Sequence, residues 1–253
     1  RVHRTAGHSS GVDPFHRCGA TAARPAGRAV LTLGLDTSTP KGSIALALEG
    51  KVLAESRLSV QAVHSESVLP EIDRLVESTG FGPADIGRVV VGSGPGSFTG
   101  VRIAASLAKG IRAATGAELF AYSSLAAIAV GSEACGRVCA AIDARRGQVY
   151  AAGYDVDSGL AQVFEPVAEQ FDAVLARLDP PADWTLAAAI PVHLRQQAEQ
   201  CGVDVLPSAA GEPRAIGLLY LAGLVPELGY VADPESWEPG YVRASSAERG
   251  LAG

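Results

Sequence analysis

The chain is poor in the residues that build small stapled or reactive sites. It has 253 residues but only four cysteines, five histidines, two tryptophans and no methionine. Cys18, Cys135, Cys139 and Cys201 are too few and too scattered for a disulfide framework. Cys135 and Cys139 lie four apart with no His or acidic pair to complete a zinc set, so free buried thiols are the expectation. No pattern supplies a nucleophile with its base, which leaves a peptidase reading without support. Apolar runs are short: none reaches the length of a membrane span, and the first residues lack the apolar core of a secretory signal. A cytoplasmic protein is the expectation.

Charge is scarce and uneven. The formal net charge is −6, yet residues 1–28 carry five arginines against Asp13, leaving −10 on the remainder. The remainder therefore lacks a broad nucleic-acid surface. Residues 1–28 have no apolar periodicity and read as a disordered basic tail. The chain starts on Arg1 and holds no methionine, so its natural start is expected upstream.

Hydrophobic residues make up 47% of the chain, enough for a substantial core. Val30 to Asp36, Ser43 to Glu49 and Val52 to Leu58 read as three strands, with a polar turn after the first and Gly50-Lys51 as a hairpin turn after the second. A helix from about Ser65 to Thr79 carries Val68, Ile72, Leu75 and Val76 on one stripe. Val89 to Val91 reads as a buried strand ending at Gly92-Ser93-Gly94-Pro95-Gly96, and a helix follows from Thr99 to about Thr115. Gly92, Gly94 and Gly96 permit close backbone approach, and Ser97 or Thr99 can cap the helix. Such a loop can hold an anion, or it can be a tight turn holding nothing. The helix behind it is rich in small residues, Ala104, Ala105, Ser106 and Ala108 among them, which allow another helix to approach.

Further on, Glu118 to Tyr122 reads as a strand and Ser123 to about Val130 as a helix. Arg137 to Ile142 and Gln148 to Tyr154 read as strands around the turn Asp143-Ala144-Arg145-Arg146-Gly147. Leu160 to Phe164 reads as a strand, Glu169 to Leu178 as a helix and Trp184 to Ala188 as a strand. Pro191 to Cys201 reads as a helix, Val203 to Leu206 as a strand and Gly211 to Leu228 as a last helix.

Two stretches carry a specific resemblance. Gly94-Pro95-Gly96-Ser97-Phe98-Thr99-Gly100-Val101-Arg102-Ile103 and Ile142-Asp143-Ala144-Arg145-Arg146-Gly147-Gln148-Val149-Tyr150, with the ending Pro239-Gly240-Tyr241-Val242-Arg243, resemble the dimerisation-subunit family of the bacterial tRNA threonylcarbamoyladenosine-synthesis complex. His64-Ser65-Glu66 fits the same pattern. The resemblance spans about residues 30–155 and the tail. It implies a two-lobed α/β fold of the actin-like ATPase (ribonuclease H-like) type, each lobe a mixed sheet flanked by helices. The first lobe would cover 29–125, rejoined by 211–230, the second 126–210, and 231–253 would form a C-terminal tail.

The resemblance further implies a non-catalytic partner that binds and activates the threonylcarbamoyl transferase, alongside an ATPase subunit, with tRNA served indirectly. Homodimerisation without the partner is the companion expectation. The implied interface lies on two helices, at Val68, Ile72, Leu75, Val101, Ala104, Ala105 and Ala108, so that arginine at Ala104 or Ala108 would abolish partner binding in a folded monomer. Asp36, Thr37, Ser38, Gly94 and Gly96 are offered as nucleotide or phosphate contacts; ATP or ADP would bind at the complex interface, with no cofactor required by this chain. The catalytic relative places two metal-binding histidines in an Asn-His-x-x-x-His pattern, where this chain has Ser124 and Ile128. The alternative is an active enzyme of the same superfamily, a small-molecule kinase or the transferase itself.

Overall fold

The computed structural model describes residues 30–59, 68–157, 159–240 and 242. The basic segment 1–28, the His64-Ser65-Glu66 stretch, Tyr241 and Arg243 lie outside the described residues.

Strand β1 (Leu31–Asp36) is buried along its whole length, Leu31, Leu33 and Leu35 alternating with Thr32, Gly34 and Asp36, because it lies in the middle of a sheet covered on both faces. It pairs antiparallel with β2 (Lys41–Leu48), from Leu31 opposite Leu48 to Asp36 opposite Ser43. A Glu49-Gly50 turn leads to β3 (Lys51–Ser59). After α1 (Val68–Ser78), β4 (Ile86–Gly92) returns parallel to β1. Then come α2 (Phe98–Thr115), the parallel strand β5 (Glu118–Tyr122) and α3 (Ser124–Gly131).

The second half repeats this plan. It runs through β6 (Arg137–Arg145), β7 (Gln148–Asp155), β8 (Ala161–Gln170), α4 (Phe171–Leu175), β9 (Trp184–Ala189), α5 (Val192–Gln200), β10 (Asp204–Val205) and α6 (Ala215–Leu224). The sheets read β3-β2-β1-β4-β5 and β8-β7-β6-β9-β10, the same order of antiparallel and parallel neighbours twice. A short α7 (Pro226–Gly229) follows.

Helices α3 and α6 are apolar almost all round because they lie between the two sheets and are buried along most of their length. The central core joins Ala45 and Val90 of the first sheet, both helices, and Ala140 and Ala152 of the second. Helices α1 and α2 cover the outer face of the first sheet, and α4 and α5 that of the second. Small residues let α3 and α6 approach: a Cβ on Gly217 would stand 2.2 Å from the Ala127 carbonyl oxygen. The start of α6 is tied to the first sheet by polar contacts. The Ala215 amide donates to Ser43 Oγ (3.0 Å), Arg214 Nε donates to Glu55 (3.0 Å), and Glu212 accepts from Lys41 and from Arg57 (2.7 Å).

Three elements depart from the sequence reading. Strand β8 continues to Gln170, so the helix expected from Glu169 is only the five-residue α4. Its pairing to β7, from Asp155–Ala161 to Gln148–Gln170, outweighs local helix preference. The last helix is three pieces: a 3-10 turn at Ser208–Gly211, α6 and α7, the last two separated at Val225 because Pro226 cannot donate to a continuing helix. Of the three thiols among the described residues, Cys139 alone is buried, and burial pushes it up to about 12; Cys135 and Cys201 are exposed and free.

The helix crossing is directly testable. Gly217→Val should cost about 1–3 kcal/mol by overpacking against Ala127. Gly223→Ala, on the same helix with open space around it, should instead stabilise by roughly 0.5–1 kcal/mol. Urea midpoints of the two variants check both signs.

Candidate functional site

Asp36 ends β1 and sits 1% exposed under the glycine loop that follows β4. Its Oδ1 accepts from the Ser38 amide (2.8 Å) and the Ser38 hydroxyl (2.6 Å), and its Oδ2 accepts from the Ser124 hydroxyl at the start of α3 (2.7 Å). Burial pushes the Asp36 carboxyl above the ordinary range, against the opposing pull of the Ser38 and Ser124 hydroxyls and the Ser38 amide.

Glycine is required where the loop meets this turn. A Cβ on Gly92 would lie 2.0 Å from Asp36 Oδ2, and one on Gly96 2.2 Å from the Ser38 carbonyl oxygen. At Gly100 it would meet the Thr37 carbonyl oxygen at 1.9 Å. The close approach is used for bonding: Ser97 N donates to the Ser38 carbonyl (2.6 Å) and Thr37 Oγ1 to the Gly100 carbonyl (2.6 Å). Ser124 N donates to the Gly94 carbonyl (2.7 Å), and Gly94 takes a left-handed φ of 86°. Ser97 caps α2, accepting from the Gly100 amide (3.3 Å).

The structure therefore brings Asp36, Thr37, Ser38, Gly94 and Gly96 together, as the sequence grouped them. Asp36 is bonded to Ser38, Thr37 to Gly100, and Ser124 bridges Asp36 to the Gly94 carbonyl. Every polar side chain of the turn is satisfied from within the chain, and Thr37 and Ser38 are as buried as Asp36. Ser124, noted in the sequence only as standing where a histidine would ligate, is the third hydrogen-bond donor to Asp36. Ile128, one turn further along α3, is packed in the central core. Sequence reading missed the Ser43, Glu55 and Arg214 group; nothing local signals a contact spanning 159 residues.

The expected interface residues are placed differently. Val68, Ile72 and Leu75 of α1 and Val101, Ala104, Ala105 and Ala108 of α2 are buried within the chain, at 6% exposure or less. Their stripes face the chain's own first lobe, so these seven side chains are not an available surface. An arginine at Ala104 or Ala108 would be driven into the core and would not leave a folded monomer. The outward faces carry Leu69, Arg102, Ser106, Gly110 and Ala113.

A duplicated pair of mixed sheets around two central helices defines a two-lobed α/β protein of the actin-like type. A model of the family described as TsaD, tRNA N6-adenosine threonylcarbamoyltransferase, matches residues 51–203, more than half of the chain. The tRNA threonylcarbamoyladenosine biosynthesis protein TsaB of Bacillus subtilis is 37% identical over 135 residues, 53% of this chain and 59% of the relative. Its Escherichia coli namesake is 41% identical over 130 residues, 49% of this chain and 55% of the relative. The chain thus spans about half the length of the curated relatives it matches. YeaZ from Pseudomonas aeruginosa superimposes with a TM-score of 0.70 at 29% identity, covering 84% of this chain and 99% of that one. The chain belongs to this threonylcarbamoyltransferase family, in its TsaB/YeaZ branch.

The Asp36 bonds predict a pH effect. A carboxyl whose folded pKa lies above its unfolded value favours the protonated native state, so its contribution to stability is lost as pH rises from about 4 through the raised value. Asp36→Asn should flatten that dependence, with stability gaining on the parent as pH rises towards neutrality. Asp36→Ala should cost about 1–3 kcal/mol throughout, because buried donors are left unpaired. Denaturant unfolding between pH 4 and 7 separates the two.

Proposed function

We propose that the chain is a non-catalytic subunit that binds and activates a tRNA adenosine threonylcarbamoyltransferase, in the modification of the adenosine next to the anticodon. The observation that carries this reading is the content of α3. The catalytic relative implied by the sequence keeps two metal-binding histidines there, four apart. Here the positions hold Ser124, engaged with Asp36, and Ile128, sealed in the core at 1% exposure. The names of the TsaB relatives support the pathway.

In this reading Asp36, Thr37 and Ser38 work as a structural lock. The chain requires no cofactor of its own, and ATP is consumed by a separate ATPase subunit or held where subunits meet. The reaction belongs in the cytoplasm, and among the described residues no helix is long and apolar enough to cross a membrane.

The partner docks on the outward face of α1 and α2. Gly110 supports this placement: it lies in the middle of an 18-residue helix, where glycine costs about 1 kcal/mol relative to alanine. A Cβ there would meet nothing within 4 Å of its own chain. Close approach by another helix gives that glycine a purpose. The same face would pair two copies of this chain when the transferase is absent.

Co-purification with the transferase tests the placement. Gly110→Arg should keep the thermal midpoint of the isolated chain and lose the heterodimer, at least tenfold in Kd for a charge buried without a partner. Ala108→Arg, two residues away but facing inward, should fail to fold. Full heterodimer with Gly110→Arg would remove the interface from this face.

A further inference from the structure

The β6–β7 turn is unlike its counterpart in the first lobe. The β2–β3 turn is a two-residue loop, Glu49 and Gly50, with φ of 50° and 78°. At β6–β7, Arg146 and Gly147 do the same with 57° and 74°, but Arg145 is also left-handed, at 66°. The third left-handed residue arises because pairing slips between Asp143 and Arg145. Left-handed backbone favours Gly, Asn or Asp over a residue with a long side chain. The chain nevertheless places arginine at two successive positions.

The turn is held from two sides. Asp143 Oδ1 accepts from the Arg145 amide (2.8 Å), and the Phe171 amide, at the start of α4, donates to the Gly147 carbonyl (3.2 Å). Both arginines are exposed. Among the described residues neither guanidinium makes an ion pair, whereas Arg57, Arg74, Arg88, Arg177 and Arg214 each meet a carboxylate. A firmly held tip thus presents two adjacent uncommitted guanidinium groups, on a chain that carries −10 beyond residue 28.

We propose that Arg145 and Arg146 contact the phosphodiester backbone of RNA, steadying the tRNA of the modification reaction; this rests on the functional reading above. Guanidinium forks match phosphate oxygens in pairs, and such contacts set register without reading sequence. The acidic surroundings confine the contact to the tip.

The test uses the full chain and a fluorescently labelled, unmodified tRNA transcript, with anisotropy read across a salt series. Arg145→Asn/Arg146→Asn should weaken binding roughly tenfold at low salt and reduce the slope of log K against log salt by about two. Its thermal midpoint should hold or rise, because Asn suits the left-handed positions. The inference falls if affinity and slope are unchanged, if the parent chain binds no transcript, or if a polyglutamate peptide binds the tip in preference to RNA. Loss of binding with a lowered thermal midpoint also overturns it, since the arginines would then be structural. Co-purification with the transferase reports separately on the functional reading: a parent chain that never pairs removes that reading, and the salt series still decides whether the tip holds RNA.

Discussion

The buried Asp36 carboxylate is the constraint around which the first lobe is arranged. A carboxyl 1% exposed is tolerated only where hydrogen bonds replace water. It collects three of them from two places: its own turn, through Ser38 twice, and the start of α3, through Ser124. Those bonds bring β1 and α3 together, and the chain must then pass without side chains at Gly92 where β4 ends, at Gly96 in the loop and at Gly100 in the first turn of α2. One polar cluster thereby fixes a strand end, a loop and two helix starts. The polar side chains of this turn are all bonded within the chain.

Asp143 occupies the second-lobe counterpart of Asp36, yet it is exposed and spends its carboxylate on the backbone of its own turn. Thr37 bonds the first turn of α2 at the Gly100 carbonyl, and Gly110 lies exposed further along the same helix. The Arg145–Arg146 tip, held at Asp143 and Phe171, projects from the other lobe. Gly217 against Ala127 packs the two central helices together, and the Arg214–Glu55 pair ties the start of α6 to the first sheet.

Much of the framework was legible in the sequence, because it rests on local signals. The strand at Val89 to Val91, the glycine loop and the capped helix behind it follow from a buried apolar run, small residues and Ser97. The amphipathic stripe of α1 identified its buried residues correctly, since a 3.6-residue period marks which face is covered. It could not say what covers it. Val68 and Ala104 pack within their own chain, and assigning them to a partner confused burial with interface. The grouping of Asp36 with Gly94 and Gly96 was also visible, but its closure depends on Ser124, 88 residues away. Strand β8 was cut short because its last six residues owe their conformation to β7 and not to their own preference.

The central claim is that this chain acts by enabling another subunit to react. Reconstituted transferase and ATPase subunit, with unmodified tRNA, ATP and the threonylcarbamoyl donor system, give the direct measurement: threonylcarbamoyladenosine formed with and without the chain. The account predicts little product in its absence, product restored by adding it in equimolar amount, and no ATP turnover by the chain alone. Full modification without it, or ATP hydrolysis by the isolated chain, would contradict the account.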